Sequence, residues 1–406
     1  MTVRVTKPEF NLRDKLSQLD CRVGSIGGEI LASKSPREAQ GLIGVGSRNI
    51  LINGGMQIAQ RAPTDDPSGT SATQYPCCDR WGGQFSNSGV FRVSRSTDAP
   101  VGHHNSLKFE TISAVTPSGS HYFHIGQNIE GHNFAATGWN ASESGRTETK
   151  QPCTLSFWVK SSNPGKWCVS LKGMGNHTHS YLIVYEIEKP NTWEWKTHTI
   201  YPSSELNNWT TGSSSAMRIQ FDVGTSRVSD LGTGVVNKWQ NHNTYTYNND
   251  KFQPTRIHGI SGATWYLTGV QFEPGPVATP FEQRSFAEEL ALCQRYFQIA
   301  ARGYISPARG NSSSSYLWTY ETPVPMRALP SAQGVTWSSA SFETRRFRDS
   351  TGVSDSTTVP SPQGAYFYPD SGTSYIHFAQ GGYTGADDRS AVIMIQQGAL
   401  FLSAEI

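Results

Sequence analysis

The residues of this chain that could do chemistry are aromatic rings rather than acids, bases or nucleophiles. Eleven tryptophans are present. Trp139, Trp209, Trp239, Tyr245 and Tyr247 lie in polar, Asn-rich stretches that read as loops. Sugars bury their CH faces on such rings and hydrogen-bond at the rim to Asn, Gln, Asp and His, so a ring in polar loop sequence points to binding rather than packing. Further along, Tyr316, Trp318 and Tyr320 alternate with other residues, as a core stripe or as an exposed aromatic face. The candidate glycan contacts are therefore Trp139, Trp209, Trp239, Tyr245, Tyr247, Trp318 and Tyr320. Phe157, Trp193, Trp195 and Trp265 sit in regular strand sequence and read as core or sheet-covering side chains.

No motif with a catalytic mechanism is present. There is no G-x-S-x-G elbow, P-loop, G-x-G-x-x-G or H-E-x-x-H. His177 and His179 would share one face of a strand, but they lie in a glycine- and asparagine-rich turn and read as solvated. Asp65-Asp66 and Asp387-Asp388 read as surface turns, since their spacing fits no calcium loop. Cysteines number six, with no C-x-x-C, and read as small apolar residues. No metal, no cofactor and no enzymatic activity are expected.

The elements that must hold these rings are strands. Charged residues make up 16% of the chain, against about 25% in an average domain, which leaves few for exposed helical faces. A net charge of +2 supplies no counterion-release term, so nucleic acid is not an expected partner. No apolar stretch approaches the ~20 residues of a membrane span, and the first residues lack the apolar core of a signal peptide. From Asn49 onward apolar residues alternate, as in Cys153, Leu155, Phe157 and Val159 or Met217, Ile219, Phe221 and Val223. Such alternation predicts antiparallel sheets with one face on a core. Short strands at this spacing predict a β-sandwich. One helix interrupts them: Ser285 and Glu288 form a capping box, and Phe286, Leu290, Cys293 and Phe297 form one apolar stripe that Gly303 can end. Near the N-terminus Leu12, Leu16, Leu19 and Val23 follow heptad spacing, predicting a short helix that packs on copies of itself or on a partner, or equally an amphipathic helix that lies on its own domain.

Several segments resemble the carbohydrate-binding-module-like jelly rolls of bacteriophage tail fibres. They are Asn49-Ile-Leu-Ile-Asn-Gly-Gly-Met56, Asp79-Arg-Trp81, Val93-Ser-Arg-Ser-Thr-Asp-Ala-Pro100 with Ser106-Leu-Lys108, Gln127-Asn-Ile-Glu-Gly131, Leu155-Ser-Phe-Trp-Val-Lys160 and Asn191-Thr-Trp193. The longest is Gly269-Val-Gln-Phe-Glu-Pro-Gly-Pro-Val-Ala-Thr-Pro-Phe-Glu282, continuing into Glu288-Glu-Leu-Ala-Leu-Cys-Gln-Arg-Tyr296. Pro323-Val-Pro-Met-Arg327 and Leu402-Ser-Ala-Glu-Ile406 resemble the C-terminal part of such proteins. The resemblance implies an all-β virion tail fibre: a homotrimer joined to tail proteins through its N-terminus and to host-surface glycan or receptor elsewhere, without membrane insertion. It divides the chain into an attachment and trimerisation segment (1–48), a jelly-roll (49–282), a linker helix (283–303) and a smaller β-sandwich tip (304–406). It transfers no catalytic or sugar-contacting residue. A cellular lectin, a polysaccharide depolymerase and a purely structural tail protein are the alternatives that the residues leave open.

Overall fold

The structure is a computed structural model. It describes residues 48–405, except 62–63, 66, 68–69, 140–149, 175–178, 204–208, 211, 226–230, 233–235, 242–245 and 248–254. From residue 302 onward it describes the strands given below with residues 321–328 and 404–405. The heptad residues Leu12, Leu16, Leu19 and Val23 lie outside the described residues.

The first part of the chain carries β1 (Thr64–Asp65), β2 (Thr70–Gln74), β3 (Gly82–Phe85), β4 (Phe91–Ser96), β5 (Ser106–Thr111) and β6 (Phe123–Glu130). After a one-turn helix α1 (Gly131–Phe134) come β7 (Cys153–Ser161), β8 (Gly165–Gly173), β9 (Ser180–Ile187), β10 (Glu194–Ile200) and β11 (Ser215–Asp222). Three two-residue strands follow, β12 (Leu231–Gly232), β13 (Trp239–Gln240) and β14 (Thr246–Tyr247), and then β15 (Thr264–Pro274). They build a six-stranded sheet, β1-β4-β5-β15-β7-β10, and a seven-stranded sheet, β13-β9-β8-β11-β6-β3-β2, with every pairing inside both antiparallel. Between them lies one core, to which alternate residues of the long strands contribute: Leu155, Phe157 and Val159 from β7, Trp265 and Leu267 from β15, Ile219 and Phe221 from β11. The fold is an all-β sandwich, as the alternation predicts. The five described cysteines, Cys77, Cys78, Cys153, Cys168 and Cys293, are buried free thiols.

Helix α2 (Phe286–Gln294) begins as the sequence predicts, with Ser285 Oγ accepting from the Glu288 backbone N–H at 3.2 Å. Two details differ from the expected stripe. Phe286 is exposed, and Tyr296, outside the stripe, is buried with Cys293 against Ile52 and Ile58. The helix also stops at Gln294 rather than near Gly303, because residue 297 opens β16 (Phe297–Ala301), paired with β25 (Ala399–Ser403). A strand partner from the far end of the chain overrides a helical periodicity that is local.

Beyond α2 come β17 (Ile305–Ser312), β18 (Ser315–Thr322), β19 (Val335–Ser338), β20 (Phe342–Arg346) and β21 (Val353–Ser356). The chain then forms β22 (Ser361–Tyr368), β23 (Thr373–Gln380) and β24 (Ser390–Ile395) before β25. These make a three-stranded sheet, β16-β25-β19, and a seven-stranded sheet, β21-β20-β24-β17-β18-β23-β22.

A polar junction joins the two parts. Asn53 binds the Ile58 amide and the Ile58 and Asp79 carbonyls through its side chain, and its own carbonyl accepts from the Trp81 indole. Glu289 of α2 accepts from the Asn53 amide. The Glu405 carboxylate pairs with buried Arg80 and, at 3.1 Å, with Arg61. The Arg80 guanidinium also lies 3.5 Å over the Tyr296 ring. The Tyr296 hydroxyl donates to Glu130, which Arg295 holds at 2.7 Å. Burial works to raise the Glu130 pKa, but these two donors outweigh it and hold the carboxyl below its usual range.

Removing one partner of a buried ion pair leaves the other charged in a dry site, at a cost of about 3–5 kcal/mol. Glu405→Ala is therefore expected to lower stability by about that amount, read as a shifted denaturant midpoint at unchanged slope. A second expectation concerns pH. Burial, then the neighbouring His121 and Arg256, pushes the pKa of His258 down to about 4. A depressed folded-state pKa favours the neutral ring, so this contribution is complete above pH 6.5 and is lost as pH falls from 6.5 towards 4. Through this group alone stability should fall by about 2 kcal/mol between pH 7 and pH 5, and His258→Phe should remove that part of the slope.

Candidate functional site

The structure brings three of the expected glycan contacts together, but inside the protein. Trp139, Trp209 and Trp239 are buried, which corrects their reading as loop rings open to sugar. Their rings meet at one end of the sandwich core: Trp139 is 5.7 Å from Trp239 and 6.2 Å from Trp209, and Phe134 is 4.8 Å from Trp209. Indoles can be buried in Asn-rich sequence because the backbone satisfies their polar edge. Trp139 Nε1 donates to the Gln151 carbonyl at 2.5 Å and Trp239 Nε1 to the Tyr201 carbonyl at 3.0 Å. Tyr320 is also buried, and Trp318 lies mid-strand in β18 opposite Ala308 and Phe378. Tyr247 pairs with Gly232 in the short β12–β14 ladder. Tyr245 lies outside the described residues, as do His177, Asp66, Asp387 and Asp388. Among the described residues no three His, Cys, Asp or Glu side chains converge as a metal site.

Among the described residues, one group of rings lies on the outer face of the six-stranded sheet, with Trp195 exposed and Trp158, Trp193 and Tyr266 half-buried. Leu155, Phe157 and Val159 are in the core, so Trp158 and Lys160 point the other way. By the same alternation Tyr266 points outward between buried Trp265 and Leu267. Register brings these residues side by side: Tyr266 pairs with both Lys108 and Lys160, and Trp158 with both Thr268 and Trp195. Trp195 is 46% exposed on β10, the edge strand of its sheet. Trp193, just before β10, lies 6.0 Å from Tyr266.

Charges are threaded between the rings. The Lys160 ammonium sits 4.3 Å from the Tyr266 ring and 5.1 Å from Trp193, and it pairs with the Asp98 carboxylate. Trp193 Nε1 donates to the other Asp98 oxygen at 3.1 Å. Partial burial works to raise the Asp98 pKa, but the hydrogen bonds from Lys160 and Trp193 prevail and lower it. Lys108, 5.9 Å from the Tyr266 ring, bonds Glu110 at 2.8 Å. The face thus holds Trp158, Trp193, Trp195 and Tyr266 interleaved with oriented donors and acceptors.

A bulge in β15 shapes the rim. Register shifts between Thr268 and Gln271, and Gly269 there has φ +60°. A Cβ at Gly269 would come within 2.6 Å of the His103 ring and 3.1 Å of Trp158. Only glycine accepts both that backbone and that closeness.

These contacts were legible in part. In a strand whose apolar residues alternate, a large ring at an opposite-parity position is a surface ring, and Trp158 and Tyr266 both carry that signal. Trp193 and Trp195, which read as core or sheet-covering residues, lie on the outer face, with Trp195 exposed. What the sequence could not supply is the pairing of β7, β10 and β15, which lie far apart in the chain.

No family model matches the chain, and no curated protein matches it by sequence. Solved structures that resemble it include a tailspike protein 4 domain of bacteriophage CBA120, described as enzymatically active (13% identity, TM-score 0.27). That match covers 56% of this chain and 21% of the tailspike chain, so the chain spans about a fifth of that relative. A putative sugar-binding protein from Bacteroides thetaiotaomicron matches at 11% identity and TM-score 0.31, over 56% of this chain and all of the other. A family 11 carbohydrate-binding module from Clostridium thermocellum, in complex with a mixed-linked tetrasaccharide, matches at 8% identity and TM-score 0.26, over 53% of this chain and 98% of the module.

The two sets of rings should separate in stability. Trp139→Ala is expected to cost about 3–5 kcal/mol through the cavity it leaves. Trp195→Ala should cost under about 1 kcal/mol, as surface substitutions do. Urea titration of both variants checks this.

Proposed function

We propose that this chain is a carbohydrate-binding attachment protein, a virion tail fibre that holds host-surface glycan without cleaving it. The observation that carries the binding reading is the outer face of the six-stranded sheet, where Trp158, Trp193, Trp195 and Tyr266 alternate with Lys108, Lys160, Asp98 and Glu110. Rings receive the CH faces of a pyranose, and the charged groups receive its hydroxyls. A protein partner fits this face less well. Charged residues are depleted from the core of protein interfaces, and a docked chain would have to cover two ion pairs set among the rings. Sugar hydroxyls can bond to those groups in place of water.

The fibre reading is supported by the tail-fibre resemblance over residues 49–406. In that reading the chain is a homotrimer whose segment 1–48 joins tail proteins. Three modest sites on one particle gain avidity when the surface presents glycan repeatedly. The absence of any catalytic motif in the sequence is consistent with binding alone.

The test is adsorption. Immobilised host envelope should retain the purified trimer, and Trp195→Ala should reduce retention about tenfold per site, ~1.4 kcal/mol. Retention unchanged by Trp195→Ala and Tyr266→Ala together, in variants that still fold, would remove this face as the binding site. A monomer at micromolar concentration would remove the trimeric fibre.

A further inference from the structure

We infer that the ring-bearing face selects uncharged glycans, with Asp98 as the group that reads a pair of neighbouring hydroxyls. This inference rests on the carbohydrate-binding reading of that face and adds the class of sugar and the residue that specifies it.

The charges decide the class. Each ammonium near the rings is already engaged twice. Lys160 is bound to Asp98 and lies over Tyr266, and Lys108 is bound to Glu110 beside the same ring. An anionic sugar would have to displace a carboxylate from its lysine, or sit against Asp98 and Glu110 as a like charge. Among the described residues Arg92 of β4 is a further cation on this face; it pairs in register with Glu110 of β5, which faces Thr264, so it stands two strands and two residues from Tyr266, about 12 Å away at the usual strand spacings. A neutral sugar meets no such opposition.

The acceptor is equally defined. Asp98 is bonded once at each oxygen, by Lys160 and by Trp193 Nε1, and its side chain is 48% exposed. An ionised carboxylate offers about four lone-pair sites, so each oxygen keeps one for a ligand. Two parallel acceptors held rigid at the margin of Trp193 match the spacing of two adjacent hydroxyls on a pyranose lying against that ring. The geometry is fixed before the ligand arrives, which reduces the ordering cost of binding.

The experiment uses the full-length protein on an array of neutral oligosaccharides (β-glucan, galactan and mannan hexamers) and of polyanions (oligogalacturonate and oligosialate). The expected result is binding to at least one neutral series, changing less than twofold between 50 and 500 mM salt. Asp98→Ala should weaken it at least tenfold, while Asp98→Asn, which keeps one acceptor, should lose less. Thermal unfolding confirms that each variant is folded. Binding confined to the polyanions, or neutral binding indifferent to Asp98→Ala yet abolished by Trp195→Ala, overturns this inference and leaves the ring face standing. Silence towards both series, or binding untouched by Trp195→Ala, overturns the ring face and the inference with it.

Discussion

The architecture depends on one buried guanidinium. Arg80 stands at the base of the first sandwich with almost no solvent contact, and a charge there is tolerable only if other groups replace water. Glu405 supplies the opposite charge, the Tyr296 ring a π face and the Asn128 carbonyl a hydrogen bond. Those partners come from the last residues of the chain, from the end of α2 and from β6. Satisfying Arg80 therefore requires the sandwich, the helix and the C-terminal strand to meet at one place. Arg327 strengthens the same meeting point, bonding the Ala404 and Ser213 carbonyls at 2.8 and 2.7 Å.

That convergence gives a physical meaning to the tail-fibre resemblance. Asn49 bonds Val270 and Phe272 of β15 through its side chain. Glu282 accepts from the Asn49 amide, and Gln127 brackets Ile52 at both amide and carbonyl. Asp79, Arg80, Glu289, Tyr296, Arg327 and Glu405 complete the set. The quoted segments that look most alike are thus largely those that weld the junction. The other quoted segments carry the ring-bearing face: Leu155–Lys160 holds Trp158 and Lys160, Asn191–Trp193 holds Trp193, and Val93–Pro100 with Ser106–Lys108 holds Asp98 and Lys108.

The ring face follows a different logic. It lies across β5, β15, β7 and β10, and its side chains are those left over once the core has taken alternate positions. Such positions are free to vary without unfolding the protein. Rigid backing by the sheet and the lysine–carboxylate pairs between the rings keep them oriented. A surface built this way can change its side chains while the junction keeps the fold.

Local sequence determined what depends on local physics. Alternation placed Leu155, Phe157 and Val159 inward and hence Trp158 outward, because side chains of a strand alternate by geometry. The capping box placed the start of α2, because Ser285 and Glu288 are three residues apart on one turn. Tertiary structure decided what depends on distant partners. The end of α2 was set by β25, over a hundred residues away. Trp139, Trp209 and Trp239 sit in loop-like sequence, yet they are buried because the carbonyls that satisfy the Trp139 and Trp239 indoles belong to other segments. The same holds for Trp158, Trp193, Trp195 and Tyr266: each is visible in the chain as a ring, and only strand register makes them one surface.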